Sequence, residues 1–217
     1  MERKDVIRIQ GLALSYGSRV LCPDVAFTLA PGECLLLAGA NGSGKSTLLR
    51  TLARTKGWTF IPAGIPKVKG FTVEEFVRTG CYRESNWAGK LRPAAEKRMQ
   101  RALTLLGLQA LRKQDIASLS DGEFQKACIA VGLTLPSEVL LLDEPTAYLD
   151  VENRIMVLSC LRNAARESGT AVIFSSHELH EALRSADRVL AFAGGRLLVS
   201  DTENRTDILR TAFPACL

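Results

Sequence analysis

No apolar run in this sequence approaches the roughly 20 residues that a membrane-spanning helix needs, and the opening Met1-Glu2-Arg3-Lys4-Asp5 lacks the hydrophobic region of a secretory signal. The expectation is a protein in the cytoplasm, soluble or peripheral to a membrane through a partner. No C-x-x-C pair occurs: Cys22, Cys34, Cys81, Cys128, Cys160 and Cys216 are widely scattered, most of them in apolar stretches. That spacing argues for reduced core thiols rather than a disulfide framework or a zinc site. Histidine is scarce. The only two, His177 and His180, stand at i, i+3 with no third ligand nearby and outside an H-E-x-x-H pattern, so a metal pair is disfavoured. Internal repeats, low-complexity tracts and long coiled-coil insertions are also missing.

What remains is 217 residues with 47% hydrophobic content, enough for one large domain or a core with a smaller subdomain. The net charge of +5 is unevenly placed: residues 83–113 carry eight Lys/Arg against only Glu84 and Glu96. Such a run either faces something acidic or is a solvated helix face.

The most informative stretch is Gly39-Ala40-Asn41-Gly42-Ser43-Gly44-Lys45-Ser46-Thr47, which follows the apolar run Cys34 to Ala38 and leads into Leu48, Leu49 and Leu52. Strand, glycine loop, helix is the context in which G-x-x-x-x-G-K-[ST] binds phosphate. Gly39, Gly42 and Gly44 are expected at positive φ, turning backbone N–H groups inward at the positive end of the next helix. Lys45 would reach the β- and γ-phosphates, and the Ser46 hydroxyl would ligate Mg²⁺.

Hydrophobic periodicity places strands at about Val6 to Leu14, Val20 to Leu29, Cys34 to Ala38, Trp58 to Ile61, Val139 to Leu142 and Ala171 to Phe174, with a hairpin from Arg188 to Ser200 turning at Gly194-Gly195. Helices are predicted from Lys45 to Ala53, Val73 to Thr79, Pro93 to Gly107, Gly122 to Leu135 after a Ser120 cap, Val151 to Glu167, Glu178 to Ser185, and around Asp207 to Thr211. In the helix from Val151, Ile155, Leu158 and Leu161 are expected on one side.

Val139 to Leu142 is a continuous apolar strand of the kind buried in a parallel sheet, and it ends in Asp143-Glu144-Pro145. Adjacent carboxylates at a strand end, in one chain with a phosphate loop, point to nucleotide hydrolysis: Asp143 holding Mg²⁺ through water, Glu144 orienting and deprotonating the attacking water.

These residues resemble the ATP-binding subunits of ABC transporters, over nearly the whole chain. Gly39 to Thr47 matches the Walker A motif, Val139 to Glu144 the Walker B motif, and Leu119-Ser120-Asp121-Gly122-Glu123 a variant of the LSGGQ signature. Tyr148-Leu149-Asp150 falls at the D-loop, His177 at the switch histidine, and Tyr16 where an aromatic ring stacks on adenine. The resemblance implies an α/β fold: a P-loop NTPase core with a mainly parallel sheet flanked by helices (1–70 and 116–217), a reduced antiparallel β subdomain, and an inserted helical subdomain (71–115). It implies a head-to-tail homodimer around two MgATP, with Ser120 and the Gly122 N–H meeting the partner's γ-phosphate, and His177 near the γ-phosphate and Glu144. It further implies integral membrane permease subunits, a substrate-binding protein, a place on the inner face of the membrane, and no nucleic-acid partner. Gly70 to Val77 with Thr79 to Tyr82, and Leu142 to Asp150, are similar to importers of iron-siderophores, haem and cobalamin. A cassette serving another solute is the alternative.

Two departures stand out. The family's Mg²⁺-ligating glutamine after the short strand is replaced by Ala63, and only 17 residues, 46–62, separate Lys45 from Ala63, where relatives carry a longer β arm. In the signature, Asp121 and Glu123 bring negative charge toward a site meant for phosphate, unless Asp121 serves its own helix N-terminus. These changes open a second possibility: a regulatory or degenerate subunit with weak hydrolysis.

Overall fold

The computed structural model describes residues 5–87 and 89–213, so the expectations for Met1 to Lys4 and for Cys216 lie outside the described residues. In chain order the elements are β1 (Ile7–Tyr16), β2 (Arg19–Leu29), β3 (Cys34–Ala38), α1 (Lys45–Leu52), β4 (Trp58–Ile61), α2 (Val73–Arg78), α3 (Pro93–Leu105), α4 (Asp121–Thr134), β5 (Val139–Leu142), α5 (Val151–Ser168), β6 (Ala171–Ser175), α6 (Leu179–Ser185), β7 (Arg188–Ala193), β8 (Arg196–Val199) and α7 (Arg205–Ala212). Short 3₁₀ turns cover Thr79–Glu84, Gln109–Leu111 and Ile116–Ser118.

Six strands form one sheet in the order β4-β5-β6-β3-β7-β8. All neighbours are parallel except the β7–β8 hairpin, in which Leu190 faces Val199 and Ala193 faces Arg196. β1 and β2 pair separately and antiparallel, the reduced antiparallel β subdomain expected from the sequence. Because strand side chains alternate, the buried strands feed two cores. Leu35, Leu37, Val139, Leu141, Ile173 and Leu190 pack with α1 and the β1–β2 pair. Leu36, Ala38, Leu140, Leu142, Val172, Phe174 and Val189 pack under α4, α5 and the 71–115 segment.

Local chemistry explains the helix ends. Thr72 and Ser120 each form a capping box, with Glu75 and Glu123 respectively, and Asp150 caps α5 by accepting from the Asn153 N–H. Gly169 closes α5 in the left-handed conformation at φ 67°. One expectation fails here: Ile155 is exposed, and the buried stripe of α5 is Val157, Leu158, Leu161 and Ala165. The apolar i+2 neighbour sits closer to the core-facing stripe than Ile155 does.

The 71–115 segment leaves and re-enters the fold at one place. Thr72 bridges Asp115, the Val73 N–H donates to the Gln114 carbonyl at 2.9 Å, and the Ile116 N–H donates to Phe71 at 2.9 Å. Its core residues Val73, Val77, Met99 and Leu103 merge with those beneath α4. Of the eight cations in residues 83–113, Arg98 pairs with Glu84, Arg101 with Glu167 and Arg112 with Glu74, so part of the basic run is neutralised within the fold.

Five cysteines are free thiols, with Cys22, Cys34, Cys81 and Cys128 buried. Burial, with Asp187 nearby adding to it, pushes the Cys34 thiol up to about 12, and burial does the same to Cys128. These thiols stay protonated and inert, as expected of core cysteines.

Candidate nucleotide site

Strand order brings the predicted groups together. β3, β5 and β6 are parallel and adjacent in the order β5-β6-β3, so their C-terminal ends share one edge of the sheet, the edge where open α/β sheets bind ligands. Gly39 to Thr47 follows β3, Asp143-Glu144 follows β5, and Ser175-Ser176-His177 closes β6 between them.

The glycine loop wraps its own lysine. Lys45 is buried at 8% exposure, and its Nζ donates to the Gly39 carbonyl at 2.8 Å and to that of Ala40 at 3.4 Å. Gly42 and Gly44 adopt φ of 76° and 112°, as predicted. Gly39 does not; its requirement is steric, because a Cβ there would lie 2.4 Å from Ser43 Oγ and 3.2 Å from Phe192 Cβ. α1 starts without a side-chain cap and without an acid in its first turn, which leaves its N–H groups and positive end to a ligand anion. Leu14 and Leu21 flank Gly44, so the β1–β2 turn that carries the exposed Tyr16 stands beside the loop.

The acidic half is organised by Ser175, a residue with no role assigned from sequence. Fully buried, it accepts from the Glu144 N–H at 2.8 Å and donates to Asp143 Oδ1 at 2.8 Å. Glu144 takes a left-handed conformation at φ 49°, a strain that non-glycine residues carry mostly at functional sites. His177 Nδ1 lies 2.8 Å from Glu144 Oε2. The pair stands at ion-pair distance without hydrogen-bond alignment, which leaves Oε2, itself shielded from solvent, without a hydrogen-bond partner. The signal for Ser175 was available: a polar residue ending an apolar central strand is buried and must find partners.

The signature residues form a second cluster. Ser120, Asp121, Gly122 and Glu123 line a surface depression of about 520 Å³ with Lys126, Tyr148, Leu149, Asp150 and Asn153. None of these residues belongs to the glycine loop. Both acids line this hollow, as the sequence suggested, but each is engaged by a partner within the chain. Glu123 folds back onto Ser120, accepting from its N–H at 2.8 Å and its hydroxyl at 2.7 Å, while Ser120 Oγ accepts from the Glu123 N–H at 3.3 Å. These bonds, the hydroxyl's first, hold the Glu123 carboxyl below the ordinary carboxylate range. Asp121 pairs with Lys67 at 2.7 Å. Leu119 is buried just before the cap. Gly122 is required by contact, since a Cβ would approach the Tyr148 carbonyl to 3.1 Å. Asp150 is exposed, and the Asn153 N–H lowers its pKa.

The donor set fits a magnesium nucleotide. An uncapped helix end, a loop of two left-handed glycines and a buried ammonium suit a polyphosphate; the Ser46 hydroxyl and the buried Asp143 carboxylate are hard oxygen donors suited to Mg²⁺. Ala63, following β4, has a methyl side chain and offers no oxygen ligand.

Comparison with known proteins agrees. Residues 22–147 match the family model described as ABC transporter. The chain is 31% identical to the probable siderophore transport system ATP-binding protein YusV of Bacillus subtilis, over 88% of this chain and 78% of that protein. It is 33% identical to the phosphonates import ATP-binding protein PhnC 2 of Pseudomonas savastanoi pv. phaseolicola, over 89% and 83%. Among solved structures, an ABC transporter described as of metal-chelate type, in an inward-facing conformation, superposes with a TM-score of 0.82 at 26% identity, covering 96% of this chain and 88% of that one. The chain therefore belongs to the ATP-binding proteins of ABC transporters, a family of ATPases.

Proposed function

We propose that this chain hydrolyses ATP in a head-to-tail homodimer and drives uptake of a metal chelate, of the iron-siderophore, haem or cobalamin kind, through a separate membrane permease fed by a substrate-binding protein. The observation that carries the catalytic part is the convergence of Lys45, Asp143, Glu144 and His177 on one edge of the sheet, with Ser175 holding the Asp143 carboxylate and the Glu144 backbone N–H. The loop Gly39 to Thr47 grips the phosphates by its N–H groups, Lys45 neutralises the β/γ end, and Tyr16 offers an exposed ring to the base. Ser46 and Asp143 would hold Mg²⁺, which supplies charge neutralisation at the phosphates. Glu144 takes the proton of the attacking water, and His177 steadies that carboxylate.

The physical separation of the signature hollow from the glycine loop supports the dimer: the backbone N–H groups at the start of α4 are offered outward, to a nucleotide held by a second copy. Asp150 lines the same hollow. We assign 1–70 and 116–217 to the ATP-binding core and 71–115 to a helical subdomain, and place the protein on the cytoplasmic face of the membrane; among the described residues no helix is long and apolar enough to cross it.

The Glu144→Gln variant tests this with light scattering after size exclusion. A dimer that forms only with MgATP, beside native protein that turns ATP over, supports the reading; a monomer that binds ATP, and native turnover no higher than the variant's in the presence of permease, overturns it. The solute is a separate matter. The similarity to a phosphonate importer cassette favours a second reading in which the same engine serves another solute, and transport assays with reconstituted permease decide between them.

A further inference from the structure

The link between Lys67 and the start of α4 has no counterpart among the motifs. Lys67 lies in the 62–70 segment between β4 and α2, its side chain only 26% exposed. Its Nζ donates to the Leu119 carbonyl at 2.7 Å, pairs with Asp121 Oδ1 at 2.7 Å and sits 5.8 Å from the centre of the Phe124 ring. Phe124 in turn packs on Phe76 of α2 at 5.7 Å. One ammonium thus joins the segment that follows Ala63, the first turn of α4 and the 71–115 segment.

Asp121 is the residue that needs such a partner. Its carboxylate is 71% exposed at the rim of the hollow that, in the dimer, receives the other copy's phosphate. The positive end of α4 favours both an aspartate and an incoming phosphate, so the two anions compete for the same partial charge. A fixed cation on Asp121 removes that competition and leaves the backbone N–H groups to the phosphate. The bond to Leu119 does a second thing, holding the backbone directly ahead of Ser120.

We infer that Lys67 is a positioning residue for the dimeric nucleotide site: it neutralises Asp121 and fixes the approach to α4, making an Asp-Gly-Glu signature compatible with a partner's γ-phosphate. This rests on the head-to-tail reading above.

The test is ATP-dependent dimerisation in the Glu144→Gln background, with ATP binding to the monomer measured in parallel by a fluorescent analogue. Lys67→Met is expected to raise the ATP concentration for half-dimerisation by roughly tenfold, the scale of one unneutralised charge beside a polyphosphate, and the defect shrinks in high salt. Monomer binding stays at the parent value, because the glycine loop is a separate cluster. Lys67→Arg keeps dimerisation, and adding Asp121→Gly to Lys67→Met restores the share lost to the unneutralised charge, a partial rescue that a purely structural lysine would not show. Parent-like dimerisation of Lys67→Met, or no recovery on removing Asp121, overturns the inference. A Glu144→Gln parent that binds ATP and never dimerises overturns the head-to-tail reading itself, and this inference with it.

Discussion

Ser175→Ala is the sharpest perturbation of the catalytic edge, because it removes one oxygen atom and nothing else. Ser175 is completely buried at the end of β6, and alanine fits the same backbone without crowding. Two hydrogen bonds disappear: the one from the Glu144 N–H, worth about 1 kcal/mol, and the charge-assisted one to Asp143, worth about 1.5–3 kcal/mol. Asp143 is 4% exposed, so water restores little of the loss. The expected cost is about 3 kcal/mol, which for a chain of this size lowers the melting temperature by roughly 6–12 °C. Catalysis falls for a related reason. Glu144 holds φ 49° at a strain of about 1–2 kcal/mol, offset in part by the bond to Ser175. Without it the carboxylate relaxes away from the water it activates, and a displacement of about 1 Å costs on the order of 100-fold in kcat. KM for ATP changes little, since the glycine loop is untouched. Scanning calorimetry and steady-state phosphate release measure the two effects. A Ser175→Ala protein that melts at the native temperature and turns over within twofold of native refutes the bridging role.

Two further outcomes follow from the same geometry. Gly39→Ala puts a Cβ 2.4 Å from Ser43 Oγ and should weaken ATP binding by about tenfold or more in calorimetric titration, with partial recovery in Gly39→Ala/Ser43→Ala, where the clashing hydroxyl is gone. Glu123 has its folded-state pKa lowered from 4.5 by the Ser120 hydroxyl and N–H, so its capping contribution is complete above that unfolded value and is lost as pH falls through the lower folded one; hydrogen exchange at the Ser120 and Glu123 amides should be protected above pH 4.5 and lose that protection on acidification below it, a loss of about 1 kcal/mol that Glu123→Ala shows already at neutral pH.

The strands and helices were legible because their signals are local. Cys34 to Ala38 and Val139 to Leu142 are unbroken apolar runs ended by turn residues, and both appear at their expected bounds. Ile155 was misplaced because 3.6-residue periodicity admits two neighbouring stripes, and only the packed sheet selects between them. The candidate catalytic residues could be proposed from motifs, but Ser175 could not be given its place among them: that needs β6 to lie between β5 and β3, a fact of strand order rather than of sequence. Lys67 was silent for the same reason, meeting Asp121 across 54 positions of chain.

Glu123 is the instructive case, since its partner is only three residues away. Ser120-Asp121-Gly122-Glu123 satisfies both a signature-like pattern and the S-x-x-E pattern of a capping box, and the two assign the carboxylate opposite destinies. The capping geometry wins: two hydrogen bonds turn the carboxylate back onto its own helix end, and the Glu123 N–H closes the box on the Ser120 hydroxyl. The Ser120 hydroxyl is engaged by the same box, so on the proposed head-to-tail reading the face offered to a partner's phosphate is made of backbone, the N–H groups of Asp121 and Gly122 at the positive end of α4. A site built from backbone tolerates side-chain changes that leave its charge and its shape alone. Its shape depends on Gly122, pressed against the Tyr148 carbonyl, and its charge on Lys67 cancelling Asp121. An Asp-Gly-Glu signature is on these terms no mark of a dead cassette.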